Sequence, residues 1–338
     1  MEQTLSVSVF GSTGYTASEL LRVLSGHPHV RIVNLISSSN AGRRVSEVLP
    51  PLSPIFGDEL FCSEPREDYE LAFLCLPHEV SMELVPSLLQ QGKRVIDLSG
   101  AYRIREERAY EEFYGFEHKY VQVLKEAVYG LPELFRRDIS SANLVANPGC
   151  YPTATLLGAY PLLREVKVNE IIVHAVSGVS GAGRKPRQHF HFPEMDDNFF
   201  VYSVEKHRHT PEIEDALLRS LGIELKVRFT PMVVPSSRGM VATLYIKAPK
   251  IDLKELYIET YRFEPFVFVT DSPPMTKWVS GTNNCYLYPT YDERTSTAVI
   301  VSVIDNLGKG ASLQAIQNMN IMFGFEEELS LPKIPIFP

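Results

Sequence analysis

Val9-Phe10-Gly11-Ser12-Thr13-Gly14-Tyr15-Thr16-Ala17-Ser18-Glu19-Leu20 has small residues spaced G-x-x-G-x-x-A, between the apolar run 7–10 and a helical pattern over 18–25. Glycine permits the tight turn and lets backbone N–H groups approach a pyrophosphate, whose charge the positive end of the helix favours. On the first strand of a βαβ unit, the motif predicts a dinucleotide site built from Gly11, Ser12, Thr13, Gly14 and Tyr15.

Outward from this motif, strand patterns at 7–10, 32–36, 71–76 and 95–98 alternate with helical ones at 18–25 and 80–91. That rhythm builds a parallel sheet through right-handed crossovers. Near residue 150 the pattern changes. After a helix at 153–160 come alternating strands at 170–176, 225–234, 240–247, 266–269 and 298–304, with one clear helix, 211–221, among them. This reads as a mixed, more antiparallel sheet. A last helix, 312–322, is apolar at Leu313, Ile316, Met319 and Ile321 and is expected to pack back on the first domain. The expected fold is α/β. A Rossmann-type parallel-sheet nucleotide-binding domain takes residues 1–149 and 310–338, and an α+β catalytic and dimerisation domain with a mixed sheet takes 150–309.

Composition agrees with two domains. The chain has 338 residues, and about 150 per domain is usual. With 44% hydrophobic and 22% charged residues it is a folding sequence, not a disordered one. The net charge of −8, with Lys and Arg scattered, excludes the basic footprint that nucleic acid or an anionic membrane surface demands. No apolar run nears the ~18 residues that span a bilayer. The opening, Glu2 followed by a strand pattern, lacks the features of a secretory leader. Cys62, Cys75, Cys150 and Cys285 form no C-x-x-C pair, so neither a disulfide framework nor a zinc site is expected. These features predict a cytoplasmic protein with a small ligand and no metal.

The end of the second strand discriminates between cofactors, because an NAD site places an Asp or Glu there for the ribose hydroxyls. This chain reads Ile36-Ser37-Ser38-Ser39-Asn40-Ala41-Gly42-Arg43-Arg44 instead. Hydroxyls followed by two cations suit the extra 2′-phosphate of NADP, and Ser37, Ser38 and Arg43 join the cofactor set.

Asn147-Pro148-Gly149-Cys150-Tyr151-Pro152-Thr153 places a cysteine at a helix start: Pro148 biases Asn147 toward an extended conformation and Pro152 suits the first helical turn. Unpaired N–H groups and the dipole there favour a thiolate, the form that attacks carbonyl carbon. The other three cysteines read as small buried hydrophobes. A nucleophilic cysteine needs a proton partner. Lys206-His207-Arg208-His209-Thr210-Pro211-Glu212 offers two histidines just before a helix, and sequence does not choose between them. Two glycine-rich loops, Ser177-Gly178-Val179-Ser180-Gly181-Ala182-Gly183 and Asp305-Asn306-Leu307-Gly308-Lys309-Gly310, each follow a strand and suit a close backbone approach to a ligand. Arg103 and Arg238 supply cations for anionic substrate groups.

Together with Tyr129-Gly130-Leu131-Pro132-Glu133 and Gly281-Thr282-Asn283, these motifs run nearly end to end. In this order they resemble the N-acetyl-gamma-glutamyl-phosphate reductases of arginine biosynthesis and, more distantly, the aspartate-semialdehyde dehydrogenases. The resemblance implies an NADPH-dependent reductive dephosphorylation of an acyl phosphate through a Cys150 thioester. His209 is the implied acid/base and His207 a substrate contact or its alternative. Arg103, with Ser177 and Arg238, is implied on the substrate, Gly181 on the cofactor, and Asn306 beside the nicotinamide. The dehydrogenase relatives carry their histidine on a later strand, where this chain has Arg238-Gly239-Met240. A homo-oligomer, dimer or tetramer, is also implied. Two alternatives are a sister reductase for an aminoadipyl phosphate tethered to a carrier protein of lysine biosynthesis, and an NADP-binding redox sensor without turnover. For the carrier, Arg184-Lys185-Pro186-Arg187 is the short basic candidate.

Overall fold

The computed structural model describes residues 4–336, and the chain divides into two units. The first takes the chain through Glu107, then Phe116–Pro148 and Ala311–Leu331; the second takes Arg108–Gly115, Gly149–Gly310 and the segment from Pro332.

Among the described residues, the first unit holds a six-stranded, wholly parallel sheet. Its strands are β1 (Leu5–Phe10), β2 (Val30–Ile36), β3 (Leu71–Leu74), β4 (Arg94–Asp97), β5 (Val128–Tyr129) and β6 (Leu144–Ala146), in the order β2-β1-β3-β4-β6-β5. β3 is buried along its whole length, as befits a strand covered on both faces. The strand order reverses beside β1, and a crevice at such a switch point is where open α/β sheets take their ligands. β5 and β6, with two and three residues, are too short for periodicity to reveal. The Pro132–Ser141 helix also went unread, although Pro132 at its first turn is a start signal.

The Leu313–Phe323 helix belongs to this first unit, far in sequence from the rest of it. Its attachment is polar as well as apolar. Asn318 Nδ2 donates to Gly130 O at 2.8 Å and to Asn147 Oδ1 at 3.0 Å, while Ser312 Oγ donates to Thr16 O at 2.8 Å. The units depart from the expected division in two places. Residues 108–115 lie in the second unit, and so does the described chain after Pro332, where Asn283 N donates to Pro332 O and Ile336 N to Ser280 O.

The second unit holds, among the described residues, a seven-stranded mixed sheet. Its strands are β7 (Glu170–Gly178), β8 (Phe200–Val201), β9 (Lys226–Val234), β10 (Met240–Lys247), β11 (Val267–Val269), β12 (Cys285–Asp292) and β13 (Thr297–Ile304), in the order β11-β12-β13-β10-β7-β9-β8. β7 runs parallel to β9 and β11 to β12, and the other pairs are antiparallel. β12 was not anticipated, because Pro289 argues against a strand. β11 covers only Cys285–Leu287 of β12, so the N–H that Pro289 lacks is not needed on that side.

One face of this sheet carries helices Cys150–Glu165, His209–Leu221 and Leu253–Tyr261. The last of these has a legible start, Asp252 accepting from Glu255 N at 3.1 Å. The Cys150–Glu165 helix is buried on nearly all sides. It approaches β10 so closely that a Cβ at Gly158 would lie 3.1 Å from Leu244 Cδ1. The opposite face leaves a half-exposed band across neighbouring strands, with the row Thr290, Val299, Tyr245, Ile172 in register. No helix among the described residues is long and apolar enough to cross a membrane.

Two buried histidines give the first unit a pH signature. Burial pushes the His27 imidazole below its usual value, against the hydrogen bond that its Nε2 donates to Asn320 Oδ1, and burial likewise lowers His118, against a hydrogen bond with Ala101 O. A group whose native pKa lies below its unfolded value of about 6.5 is protonated more readily in the unfolded chain. Its stabilising contribution is full above that pH and is lost as pH falls toward the native value. We expect the urea midpoint to fall between pH 7 and pH 5, and a His27→Gln variant to show a shallower slope. Parallel slopes would remove His27 from this account.

Candidate active site

In the first unit, Gly11 has φ +73°, and a Cβ there would collide with the carbonyl oxygen of Cys75. Gly11 N and Ser12 N donate to Ile36 O at 2.9 and 3.0 Å, which bends the loop back over β2. Gly14 begins the Tyr15–Leu24 helix with no side-chain cap and no acidic residue in the first turn, so the N–H groups and the dipole are free for an anion. Thr13 Oγ1 lies 3.5 Å from Ser37 Oγ, Asn40 Nδ2 donates to Ser37 Oγ at 3.2 Å, and Arg43 Nη1 donates to Asn40 Oδ1 at 3.2 Å. The structure thus gathers Thr13, Ser37 and Arg43, with Ser38 exposed in the same turn and Tyr15 exposed at the start of the helix. Arg43 pairs with Glu47 at 3.7 Å and Arg44 with Asp58 at 3.4 Å, both on the surface, where such pairs contribute little and yield readily to a phosphate. A glycine cradle, an uncapped helix start and a cationic turn fit a phosphorylated dinucleotide.

Arg103 is buried in the first unit. Its Nε donates to Asn147 O at 2.7 Å and its Nη2 to Leu98 O at 2.9 Å, so it braces the backbone at the ends of β4 and β6. Burial and the neighbouring Asp97 push the Cys75 thiol up to about 12, which leaves it no nucleophilic role.

The second unit places Cys150 as the first residue of its sixteen-residue helix, after Gly149 in an extended conformation. Cys150 lines a cavity of about 340 Å³ together with Ser177, Gly181, Tyr202, His207 and His209. Against its back lies the Gly310 turn, so close that a Cβ on Gly310 would be 2.8 Å from Cys150 Cβ. The Cys150 side chain is thus backed by the Gly310 turn and lines the cavity.

The two histidines differ. Their rings are 4.8 Å apart, and each meets the Tyr151 ring edge-on at 5.8 Å. Burial, aided by the Arg208 guanidinium, pushes the His207 imidazole down to about 4, and its Nδ1 accepts the backbone N–H of His209 at 3.2 Å. His207 is thus neutral at physiological pH, with Nδ1 occupied as an acceptor. His209 opens the His209–Leu221 helix, and its Nε2 lies 3.9 Å from Glu212 Oε2. The other oxygen of Glu212 accepts from Gly149 N at 2.8 Å. Glu212 is wholly buried.

Ser177 is the penultimate residue of β7 and donates to Gly178 O at 3.1 Å, with Gly181 following in the next turn. Arg238 and Asn306 have structural partners. Asn306 Oδ1 accepts from Gly239 N and its Nδ2 donates to Ser180 Oγ, both at 2.9 Å. Arg238 Nη1 donates to Asp305 Oδ2 at 3.2 Å. Asp305 also accepts from Gly281 N at 2.6 Å, Leu307 N at 2.8 Å and Gly308 N at 3.1 Å, so one buried carboxylate fixes three loops. Glu212 and Asp305 were passed over in sequence, the first as a helix-start glutamate and the second as the partner of a more conspicuous Asn306. A carboxylate immediately before a glycine-rich turn was the signal available for Asp305.

Residues 6–142 match the semialdehyde dehydrogenase NAD binding domain and residues 150–306 the semialdehyde dehydrogenase dimerisation domain. The chain is 64% identical to the N-acetyl-gamma-glutamyl-phosphate reductase of Aquifex aeolicus strain VF5 over the full length of both, and 43% identical to that of Pelotomaculum thermopropionicum over 99% of each. Among solved structures it is similar to Vibrio cholerae aspartate semialdehyde dehydrogenase II complexed with ASA, with a TM-score of 0.73 and 18% identity over 95% of this chain and 99% of that one. The Candida albicans aspartate semialdehyde dehydrogenase with NADP aligns with a TM-score of 0.72 at 16% identity, over 95% of this chain and 99% of that one, a likeness of fold. With its nucleotide cradle, its cavity-facing helix-start cysteine and end-to-end identity to these reductases, the chain belongs to the N-acetyl-gamma-glutamyl-phosphate reductase family.

Proposed function

We propose that this chain reduces N-acetyl-γ-glutamyl phosphate to N-acetyl-glutamate semialdehyde with NADPH, through a thioester on Cys150. The observation that carries the reading is Cys150 at a helix start, open to a cavity that it shares with His209. The thiolate attacks the acyl carbon, a C–S bond forms, and the C–O bond to phosphate breaks with inorganic phosphate leaving. NADPH, when bound, supplies the hydride that reduces the acyl group. His209 gives its proton to the resulting oxygen and takes it back as the C–S bond breaks, so that the carbonyl forms, the thiolate leaves and the aldehyde is released. A thioester accepts hydride better than a carboxylate, and a thiolate leaves readily. N–H groups at the helix start suit the developing oxyanion. His209 rather than His207 serves as acid/base, because His207 is held neutral with one ring nitrogen already engaged. Ser177 and the cavity cations receive the anionic substrate, and Arg103 fixes the Asn147 carbonyl in the first unit.

Gly11 to Tyr15 hold the pyrophosphate, and Ser37, Ser38 and Arg43 select the 2′-phosphate. We expect an Arg43→Glu, Arg44→Glu variant to bind NADPH more weakly by roughly tenfold or more, the scale of one lost charge-assisted hydrogen bond, and NADH with little change. Fluorescence titration of both cofactors checks this, and equal losses would take the two arginines out of the site.

Cys150→Ser should keep its fold and NADPH affinity and lose turnover by at least ~10³-fold. Steady-state reduction of the free acyl phosphate is the assay. A variant rate near that of the parent would replace the covalent route by direct hydride transfer. Failure of the parent enzyme to use the free acyl phosphate would favour a carrier-tethered substrate.

We further propose that two copies associate through the open face of the second unit's sheet, where Tyr245 and Ile172 lie exposed side by side in register. Tyr245→Glu should lower the mass measured by sedimentation equilibrium at micromolar concentration. An unchanged mass would place the interface elsewhere.

A further inference from the structure

Part of the cavity wall has no place in the covalent chemistry. Phe113, His189, Phe190 and Phe200 line the same cavity as Cys150 and His209. We propose that these four rings are the seat of the substrate's N-acetyl group, and that with the neighbouring cations they make the site select an N-acylated substrate over one with a free amine. This rests on the substrate reading above and names the residues that do the selecting.

The rings come together from three stretches of chain. Phe113 lies in the single helical turn Tyr110–Tyr114, where the neighbouring Glu112 pairs with Lys206 at 3.8 Å. That pair ties residues 108–115, an excursion from the first unit, to the wall they help to build. Phe200 is placed by β8, where it stands in register with Val233 of β9, itself a lining residue. His189 and Phe190 sit in the turn Gln188–Phe190. The His189 ring is 4.2 Å from that of Phe190 and meets Phe200 edge-on at 5.9 Å, and the two phenylalanine rings are 6.1 Å apart. Phe113, Phe190 and Phe200 are all half-buried. Rings gathered at a cavity wall and left partly open gain by covering a methyl group.

Charge decides what else can stand there. Among the described lining residues three are cations, Arg187, Lys206 and Arg208, and none is Asp or Glu. Glu112 pairs with Lys206 and Glu212 with Gly149 N, and neither lines the cavity. The substrate's α-carbon bears a carboxylate and a nitrogen. The cations suit the carboxylate. A free amine would be an ammonium among like charges with no counter-charge, which disfavours it. Ring faces alone attract an ammonium, but the cations beside them outweigh that attraction. Acetylation removes the charge and adds a methyl, and both changes fit this wall. The selection comes from rejection as much as from attraction.

The test uses the full-length enzyme and three competitive inhibitors of N-acetyl-γ-glutamyl phosphate reduction. They are N-acetyl-L-glutamate, glutarate, which lacks the nitrogen, and L-glutamate, which carries it as an ammonium. The parent should bind N-acetyl-L-glutamate tightest and L-glutamate weakest, about tenfold or more apart. A Phe113→Ala, Phe190→Ala variant should lose about tenfold for N-acetyl-L-glutamate and less than about twofold for glutarate. Its KM for the acyl phosphate should rise by a similar factor, with kcat within about threefold of the parent. Leucine at both positions should recover most of the loss. Equal losses for N-acetyl-L-glutamate and glutarate, or no loss for either, would overturn the proposal. So would L-glutamate binding the parent as tightly as N-acetyl-L-glutamate. A parent that does not turn over N-acetyl-γ-glutamyl phosphate would instead overturn the function on which the seat rests.

Discussion

The hydrogen bond from Gly149 N to Glu212 Oε1 is the contact on which the catalytic unit depends. It ties the residue before Cys150 to the helix that His209 opens. The rest of the helix is held just as firmly. Tyr261 Oη donates to Leu157 O at 2.7 Å, and Tyr257 Oη donates to Gly158 O one residue on, both from the Leu253–Tyr261 helix. A helix buried on nearly all sides cannot rotate to accommodate a misplaced first residue, so the placement of Cys150 comes from packing along its whole length.

The cavity then separates two chemically identical side chains by environment. His207 is desolvated and lies beside Arg208, conditions that remove its proton. His209 is two residues on, with a carboxylate within 4 Å. The same cavity places cations at its wall, Arg187, Lys206 and Arg208, which suits an anionic substrate.

Much of this was legible in sequence for stateable reasons. The glycine loop announced itself because Gly11 must have positive φ and must lie against the Cys75 carbonyl, and no other residue type meets both demands. Cys150 was legible because proline and glycine mark a helix start on either side of it. The unread elements are those whose signal is nonlocal. β12 contains a proline that is harmless only because β11 is short, and the ends of β11 are not visible from β12. Glu212 looks like any first-turn glutamate, and its burial depends on the Cys150 helix, sixty residues earlier in the chain. Arginine roles were the least legible. Arg103 and Arg238 read as anion receivers, yet much of their hydrogen bonding goes to backbone carbonyls and to Asp305, partners a linear motif does not reveal.

Asp305 extends this logic from the nucleophile to the loops around it. A buried carboxylate that accepts from Gly281, Leu307, Gly308 and Arg238 is satisfied only when three chain segments meet. Its own carbonyl accepts from Gly310 N at 2.9 Å, which sets the turn that backs Cys150. Asn306, the next residue, ties Gly239 and Ser180 in the same way and so reaches the Ser177–Gly181 wall of the cavity. An unsatisfied buried carboxylate is expensive, so these loops are favoured together or not at all. The Ser177–Gly181 wall of the cavity is thus held by two adjacent polar side chains, which explains why glycines, with their freedom to approach closely, surround them: Gly308 meets the Thr282 carbonyl, and Gly178 packs on the Ser236–Arg238 backbone where a Cβ would not fit.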